Sequence, residues 1–163
     1  DSYHRLTHLP EPEYKTVSVP ALFTKLERLL QAEPRSERVV YCDGKADKST
    51  GKELQVYGDA NLLTLALINL IRNALQAVEG QEDGIVRVDT CAGATGHLLI
   101  IITDNGPGIP PERLSAIFTP FFSTKSGGSG IGLPISQRIM QLHGGQLSVS
   151  SIPNVRTEFR MEF

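Results

Sequence analysis

Residues 61–80 read NLLTLALINLIRNALQAVEG. The first half of this stretch is apolar all round, the mark of a helix buried on most sides. Asp59 just upstream suits an N-cap and Gly80 suits a stop, so the spacing predicts a long helix ending at about Glu79. The second half breaks the pattern. Asn69, Arg72, Asn73 and Gln76 stand at i, i+3, i+4 and i+7 and share one helical face. Asparagine is a mediocre helix former, and a buried amide is costly unless it is hydrogen-bonded. Two readings of the stripe stand side by side. One is a bonded amide network or a solvated edge. The other is a face turned to a ligand, where an Asn carbonyl oxygen would suit Mg²⁺, a hard cation that prefers oxygen.

A buried helix needs a layer to lie on. Downstream, Ile85–Cys91 and His97–Thr103 read as strands, and the small residues from Gly93 to Gly96 between them suggest a hairpin. Upstream, a short strand near Thr16–Val19 precedes a helix over Ala21–Gln31, apolar at 22, 26, 29 and 30. Arg38–Cys42 is β-rich, 43–53 is a polar surface loop, and Gln55–Tyr57 reads as the returning strand. Ile131–Leu142 has apolar residues at 131, 135, 139 and 142 and is stopped by Gly144 and Gly145. Gln146–Ser150 and Val155–Phe163 alternate apolar and polar residues as closing strands. Helices mixed with hairpin-connected strands predict an α+β two-layer sandwich, with a mixed, mostly antiparallel sheet and helices on one face. Pro10, Pro12 and Pro20 make residues 1–20 irregular apart from the strand near Thr16–Val19, with 1–15 read as a lead-in from a preceding domain and 16–163 as one domain.

Composition narrows the function classes. A chain of 163 residues buries roughly 68–70% of its unfolded surface and needs no staples. A net charge of −2 offers no footprint for nucleic acid. Cys42 and Cys91 are far apart and suit neither a disulfide framework nor zinc, which fits a reducing, cytoplasmic setting. No apolar run approaches the roughly 18 residues of a membrane span. The chain begins at Asp1 and reads as a fragment, so a membrane anchor elsewhere in a parent protein is left open.

Two more stretches carry chemistry. DNGPGIPP (104–111) follows the most apolar strand. Asp104 at that strand end would accept from a ligand amine, and Gly106 and Gly108 allow close backbone approach and positive φ. A plain Asp-Asn-Gly turn would look the same. FTPFFSTKSGGSGIGLP (118–134) pairs Phe118, Phe121 and Phe122 with a Gly-rich run opening a helix. Backbone N–H groups there suit an anion, although the run is neither a GxxxxGK[ST] loop nor GxGxxG. Lys125 either reaches a phosphate or is simply solvated. The three aromatics are either core or docking groups for a hinged lid.

In this order, NLIRNA, DNGPGI, FTPFFSTK and GSGIGLPIS, with HGG and RTEF closing the chain, resemble the ATP-binding catalytic domain of two-component sensor histidine kinases. That family shares a superfamily (GHKL, HATPase) with type II topoisomerases, MutL-type repair proteins and Hsp90-type chaperones. The resemblance runs from about residue 16 to the end and implies the Bergerat-type fold. It also implies roles. Asn73 would ligate Mg²⁺ and, with Asn69, serve catalysis on the phosphate side. Asp104 would accept from the adenine amino group, with Gly106, Gly108 and Ile109 around the base. Phe118, Thr124, Lys125, Gly128, Ser129, Gly130, Ile131, Gly132 and Leu133 would bind ATP through the lid and the helix it opens. Thr157 would sit near the adenine, directly or through water.

Some positions depart from the family. Arg156 stands where a Gly usually precedes the Thr, which puts the local turn in question. Gln76 stands where many relatives carry a basic residue that reaches phosphate. Pro134 is less usual in bacterial members, and GLPIS is also similar to mitochondrial-type kinases of the superfamily.

The implied function is binding of ATP with Mg²⁺ and transfer of the γ-phosphate to a histidine on a separate dimerisation domain. The parent protein would be a homodimer with a downstream response regulator, and the acceptor histidine would lie outside this chain. His4 and His8 lie in the Pro-broken stretch HRLTHLPEP, which lacks a long helix pair, His97 precedes a strand, and His143 is read as a favourable charge at a helix C-terminus. The alternatives are an ATP-hydrolysing relative or a non-catalytic nucleotide-binding module. Hydrolysing relatives carry a glutamate one turn before the Mg²⁺ asparagine, where this chain has Asn69, which cannot act as a general base.

Overall fold

The computed structural model of the chain describes residues 8–42, 51–93, 97–122 and 130–163. The elements run β1 (Lys15–Ser18), α1 (Val19–Leu30), a 3₁₀ turn (Ser36–Arg38), β2 (Val39–Tyr41), β3 (Gln55–Gly58), α2 (Ala60–Ala77), β4 (Val86–Ala92), β5 (Leu98–Asp104), α3 (Pro111–Leu114), α4 (Gly132–Leu142), β6 (Gln146–Ile152) and β7 (Arg156–Glu162). Five strands form one sheet in the order β2-β4-β5-β7-β6, parallel at β2–β4 and antiparallel elsewhere. Helices α1, α2 and α4 bury apolar stripes on one face of this sheet. The α+β sandwich expected from the sequence is the observed architecture.

Local chemistry explains where the elements begin. The Ser18 hydroxyl accepts from Ala21 N–H (3.2 Å), so α1 starts two residues earlier than its apolar spacing suggests, with Pro20 harmless in the first turn. Asp59 caps α2 as expected, taking the N–H groups of Asn61 and Leu62 at 2.9 Å each. Its other oxygen takes Glu13 N–H at 2.8 Å, tying the lead-in to the core. Burial alone would raise the Asp59 pKa, but the Leu62, Glu13 and Asn61 N–H groups outweigh it and hold the carboxyl below its ordinary value. The far end of α2 is closed by the Arg38 guanidinium, which donates to the carbonyls of Val78 (2.9 Å) and Gln81 (2.7 Å).

One expected pairing is corrected. Gln55–Tyr57 does not return along 38–42. It pairs antiparallel with β1 in a separate two-stranded sheet, Val17 opposite Val56, while β2 runs parallel to β4. Both valines face the core, so this register buries apolar surface that a local hairpin would leave outside. His143 also differs from its expected role as a charge at the end of α4. Its Nε2 accepts from Asp59 N–H (2.9 Å) and its Nδ1 lies 2.7 Å from Ile139 O, an arrangement that suits the neutral ring with the proton on Nδ1. Gly58 makes room for it, since a Cβ there would stand 2.6 Å from the ring.

Candidate nucleotide site

Alternation along β5 sets up the first half of the site. Leu98, Ile100, Ile102 and Asp104 are its buried positions, so the last place in an apolar row goes to a carboxylate, 3% exposed. On β7 the same row reads Thr157, Phe159 and Met161. Register puts Phe159 opposite Ile102 and Thr157 opposite Asp104. One end of the core face therefore carries a polar pair where the rest of the row is hydrocarbon.

The loop after β5 is folded onto its own strand end. Gly106 N–H donates to Asp104 Oδ1 at 2.9 Å. A Cβ on Gly106 would lie 2.8 Å from that oxygen and 2.9 Å from Ala77 O, so glycine lets strand, loop and helix end meet. Asn105 locks the loop from the other side. Its Oδ1 accepts from Ile85 N–H (2.8 Å), its Nδ2 donates to Asp83 O (2.9 Å), and Gln81 donates to its carbonyl (2.9 Å).

The loop also rests on the β6–β7 turn. Asn154 N–H donates to Pro107 O (2.7 Å), and Ser151 Oγ accepts from Ile109 N–H (2.8 Å). Gly108 has φ +79°, and a Cβ there would stand 2.9 Å from Pro153 Cα. The turn questioned because of Arg156 is intact. Val155 N–H closes it on Ile152 O at 3.0 Å, and the left-handed position is taken by Asn154 at φ +59°. Asparagine tolerates that region better than most residues, and Arg156 lies in regular strand opposite Ile152.

The second half of the site is the polar face of α2. Asn69, Arg72, Asn73 and Gln76 all line a cavity of about 780 Å³, and so do Asp104, Gly108, Ile109 and Thr157. The stripe therefore lies on the wall of an open cavity, a placement compatible with a ligand-facing face and with a solvated edge alike. Arg72 also donates through Nε to Glu33 (2.7 Å) at the rim. Gly132 and Leu133, the first residues of α4, complete the wall. Among the described residues no side chain caps this helix, and its first residues lie beside the cavity. The buried hydroxyl of Ser136 holds α4 to α2, lying 3.0 Å from Gly132 O and 3.3 Å from Ala66 O.

Of the expected site residues, Gly130 also lines the cavity, while Gly106, Phe118 and Ile131 are not among its lining residues. Thr124, Lys125, Gly128 and Ser129 lie outside the described residues. The aromatics divide. Phe118 and Phe122 pack on the core, Phe122 reaches the cavity wall, and Phe121 is 55% exposed. Phe121 N–H donates to Gly130 O (2.9 Å), joining the two ends of the intervening segment. Sequence reasoning missed Ser151, Asn105, Asn154 and Arg113, and named Phe122 only as a core or lid-docking aromatic. Ser151, Asn105 and Asn154 announce themselves only through partners distant in sequence, and Arg113 only by lining the cavity.

Residues 58–163 match the family model described as "Histidine kinase-, DNA gyrase B-, and HSP90-like ATPase". The chain belongs to this family, and within it to the ATP-binding domains of sensor histidine kinases. It is 42% identical over 98 residues to the sensor histidine kinase ZraS of Salmonella typhimurium, covering 60% of this chain and 21% of that protein. It is 34% identical to the sensory histidine kinase/phosphatase NtrB of Vibrio alginolyticus, covering 94% of this chain and 45% of that one. The chain thus spans less than half the length of these relatives. Among solved structures, the catalytic domain of the histidine kinase ThkA superposes with a TM-score of 0.72 at 27% identity, covering 92% of this chain and 95% of that one.

Proposed function

We propose that the chain binds ATP with Mg²⁺ in this cavity and donates the γ-phosphate to a histidine on a separate dimerisation domain of a two-component sensor. The observation that carries the reading is the placement of two chemically different ends around one cavity. A buried polar pair, Asp104 and Thr157, stands on the sheet. Two carboxamides, Asn69 and Asn73, line the same cavity as the N-terminus of α4. The first suits the amino edge of a purine. The second suits phosphates, through the N–H groups of the α4 start.

The residues present fit Mg²⁺. The ion commonly takes one or two protein oxygens and fills its octahedron with water and substrate phosphates. Asn73, with its carboxamide on the cavity wall, would supply that oxygen, and Asn69 one turn earlier would support the phosphate side. The ion, when bound, neutralises charge that develops on the transferring phosphoryl group. The chain's own contribution is positioning: Asp104 orients the base, and Asn69, Asn73 and the α4 start orient the phosphates. Asn69 is neutral and cannot take a proton from water, which favours transfer to a partner over hydrolysis.

The further partners in this proposal are a response regulator, a second copy of the parent protein through the dimerisation domain, and no nucleic acid. The setting proposed is the cytoplasm, where ATP is found. Among the described residues no helix is long and apolar enough to cross a membrane. The test is transfer of label from γ-labelled ATP, with Mg²⁺, to the histidine-bearing dimerisation domain of the same parent protein. Acid-labile label on that histidine is expected. Tight nucleotide binding without any label would leave a nucleotide-binding module, and rapid release of phosphate by the chain alone would leave an ATPase.

A further inference from the structure

Ser151 has no part in the mechanism above, yet its hydroxyl sits at a junction. It accepts from Ile109 N–H (2.8 Å), and it lies 3.1 Å from Arg156 O and 3.0 Å from Thr157 Oγ1. An amide N–H only donates, a carbonyl only accepts, and a hydroxyl has one hydrogen to give. If Ser151 gave that hydrogen to Thr157, its contact with Arg156 O would set lone pair against lone pair. Every contact is attractive in one arrangement only: Ser151 donates to Arg156 O, and Thr157 donates to Ser151.

The hydrogen of Thr157 is then used inside the wall, and its lone pairs are left for the cavity. Thr157 is 4% exposed, lines the cavity and stands opposite the carboxylate of Asp104. We propose that Ser151 is a specificity-determining positioning residue, which holds Thr157 as an acceptor and makes this end of the cavity a wall of acceptors. Such a wall takes an exocyclic amino group and rejects a carbonyl at the same place, because facing acceptors leave both unpaired. The inference rests on the adenine-nucleotide reading and extends it to discrimination between a 6-amino and a 6-oxo purine.

The experiment measures calorimetric affinities of the chain for ATP and for ITP, each with Mg²⁺. The unaltered chain should prefer ATP by about tenfold or more. Ser151→Ala frees the Thr157 hydrogen to turn toward the ligand, so the preference should shrink about five- to tenfold, chiefly because ITP binds more tightly. Ser151→Thr keeps the hydroxyl and should restore the preference. Thr157→Val should shrink it from the other side, by weakening ATP alone. An unchanged ratio in Ser151→Ala, including an equal loss for both nucleotides, overturns the proposal and leaves Ser151 a merely structural residue. Equal losses in Thr157→Val overturn it independently of whether Ser151→Ala folds. Binding of neither nucleotide by the unaltered chain instead overturns the functional reading itself, and this inference with it.

Discussion

The two ends of the cavity are built differently. The end proposed for the base is made by strands and by a loop fastened at every turn: Asp104 to Gly106, Ile109 to Ser151, Asn154 to Pro107, Asn105 to Ile85 and Asp83. The end proposed for the phosphates is made by one helical face and the start of another helix, with the carboxamide residues of α2 lining the cavity. A sheet ladder can hold a carboxylate rigidly in a fixed direction, as recognition of a flat base requires. A helix face and a helix terminus offer dipoles to a group that carries several charges and arrives with its own cation. The difference suggests that the base end is vulnerable through its backbone, and the phosphate end through its side chains.

The largest expected effect comes from Asp104→Ala. Loss of a buried acceptor should weaken ATP binding by about 2–3 kcal/mol, with the far-ultraviolet circular dichroism of the native fold kept. Unchanged affinity would show that the base lies elsewhere. Gly108→Ala should strike the same end through the main chain. At φ +79° and 2.9 Å from Pro153 Cα, an added Cβ should cost about 1–3 kcal/mol in chemical denaturation, with ATP affinity falling alongside. Gly132 is the contrast at the phosphate end, since its nearest neighbour to an added Cβ is 3.8 Å away on Asn69. Gly132→Ala should leave stability within about 0.5 kcal/mol.

Asn73→Ala should break the phosphate end alone, lowering affinity about tenfold in Mg²⁺ and hardly at all in chelator. Persistent Mg²⁺ dependence would assign the metal to other ligands. The smallest effect concerns a residue at neither end. The Asp59 carboxyl is held below its ordinary value, so its contribution to stability is complete above the unfolded-state pKa and is lost as pH falls through the folded one. Urea midpoints should therefore drop on acidification below about pH 4, and the Asp59→Asn variant should show a shallower drop. Parallel curves would remove Asp59 from the acid response.

The same contrast explains what could be read in advance. Asp59 as a cap, α2 as a buried helix, the β4–β5 hairpin and the Asn69–Asn73 face all follow from interactions within a few residues, and the structure holds each of them. The pairing of β3 did not follow, because a run such as QVYG is equally compatible with any neighbour. The role of Asn154 was hidden because a missing Gly drew attention to Arg156, while the left-handed position had moved to a residue that also tolerates it.

From the sequence alone came the periodicities, caps and turn residues, and with them the two-layer architecture and the chemical character of each motif. These are local properties, set by 3.6- and 2-residue repeats and by backbone preference. Only the tertiary structure decided that Thr157 faces Asp104 across the sheet and that Ser151 reaches Ile109 from another strand. It also decided that β3 joins β1 rather than β2. Those relations depend on register and on a hydrophobic core that is buried only when all the strands are in place, and no window of sequence contains them.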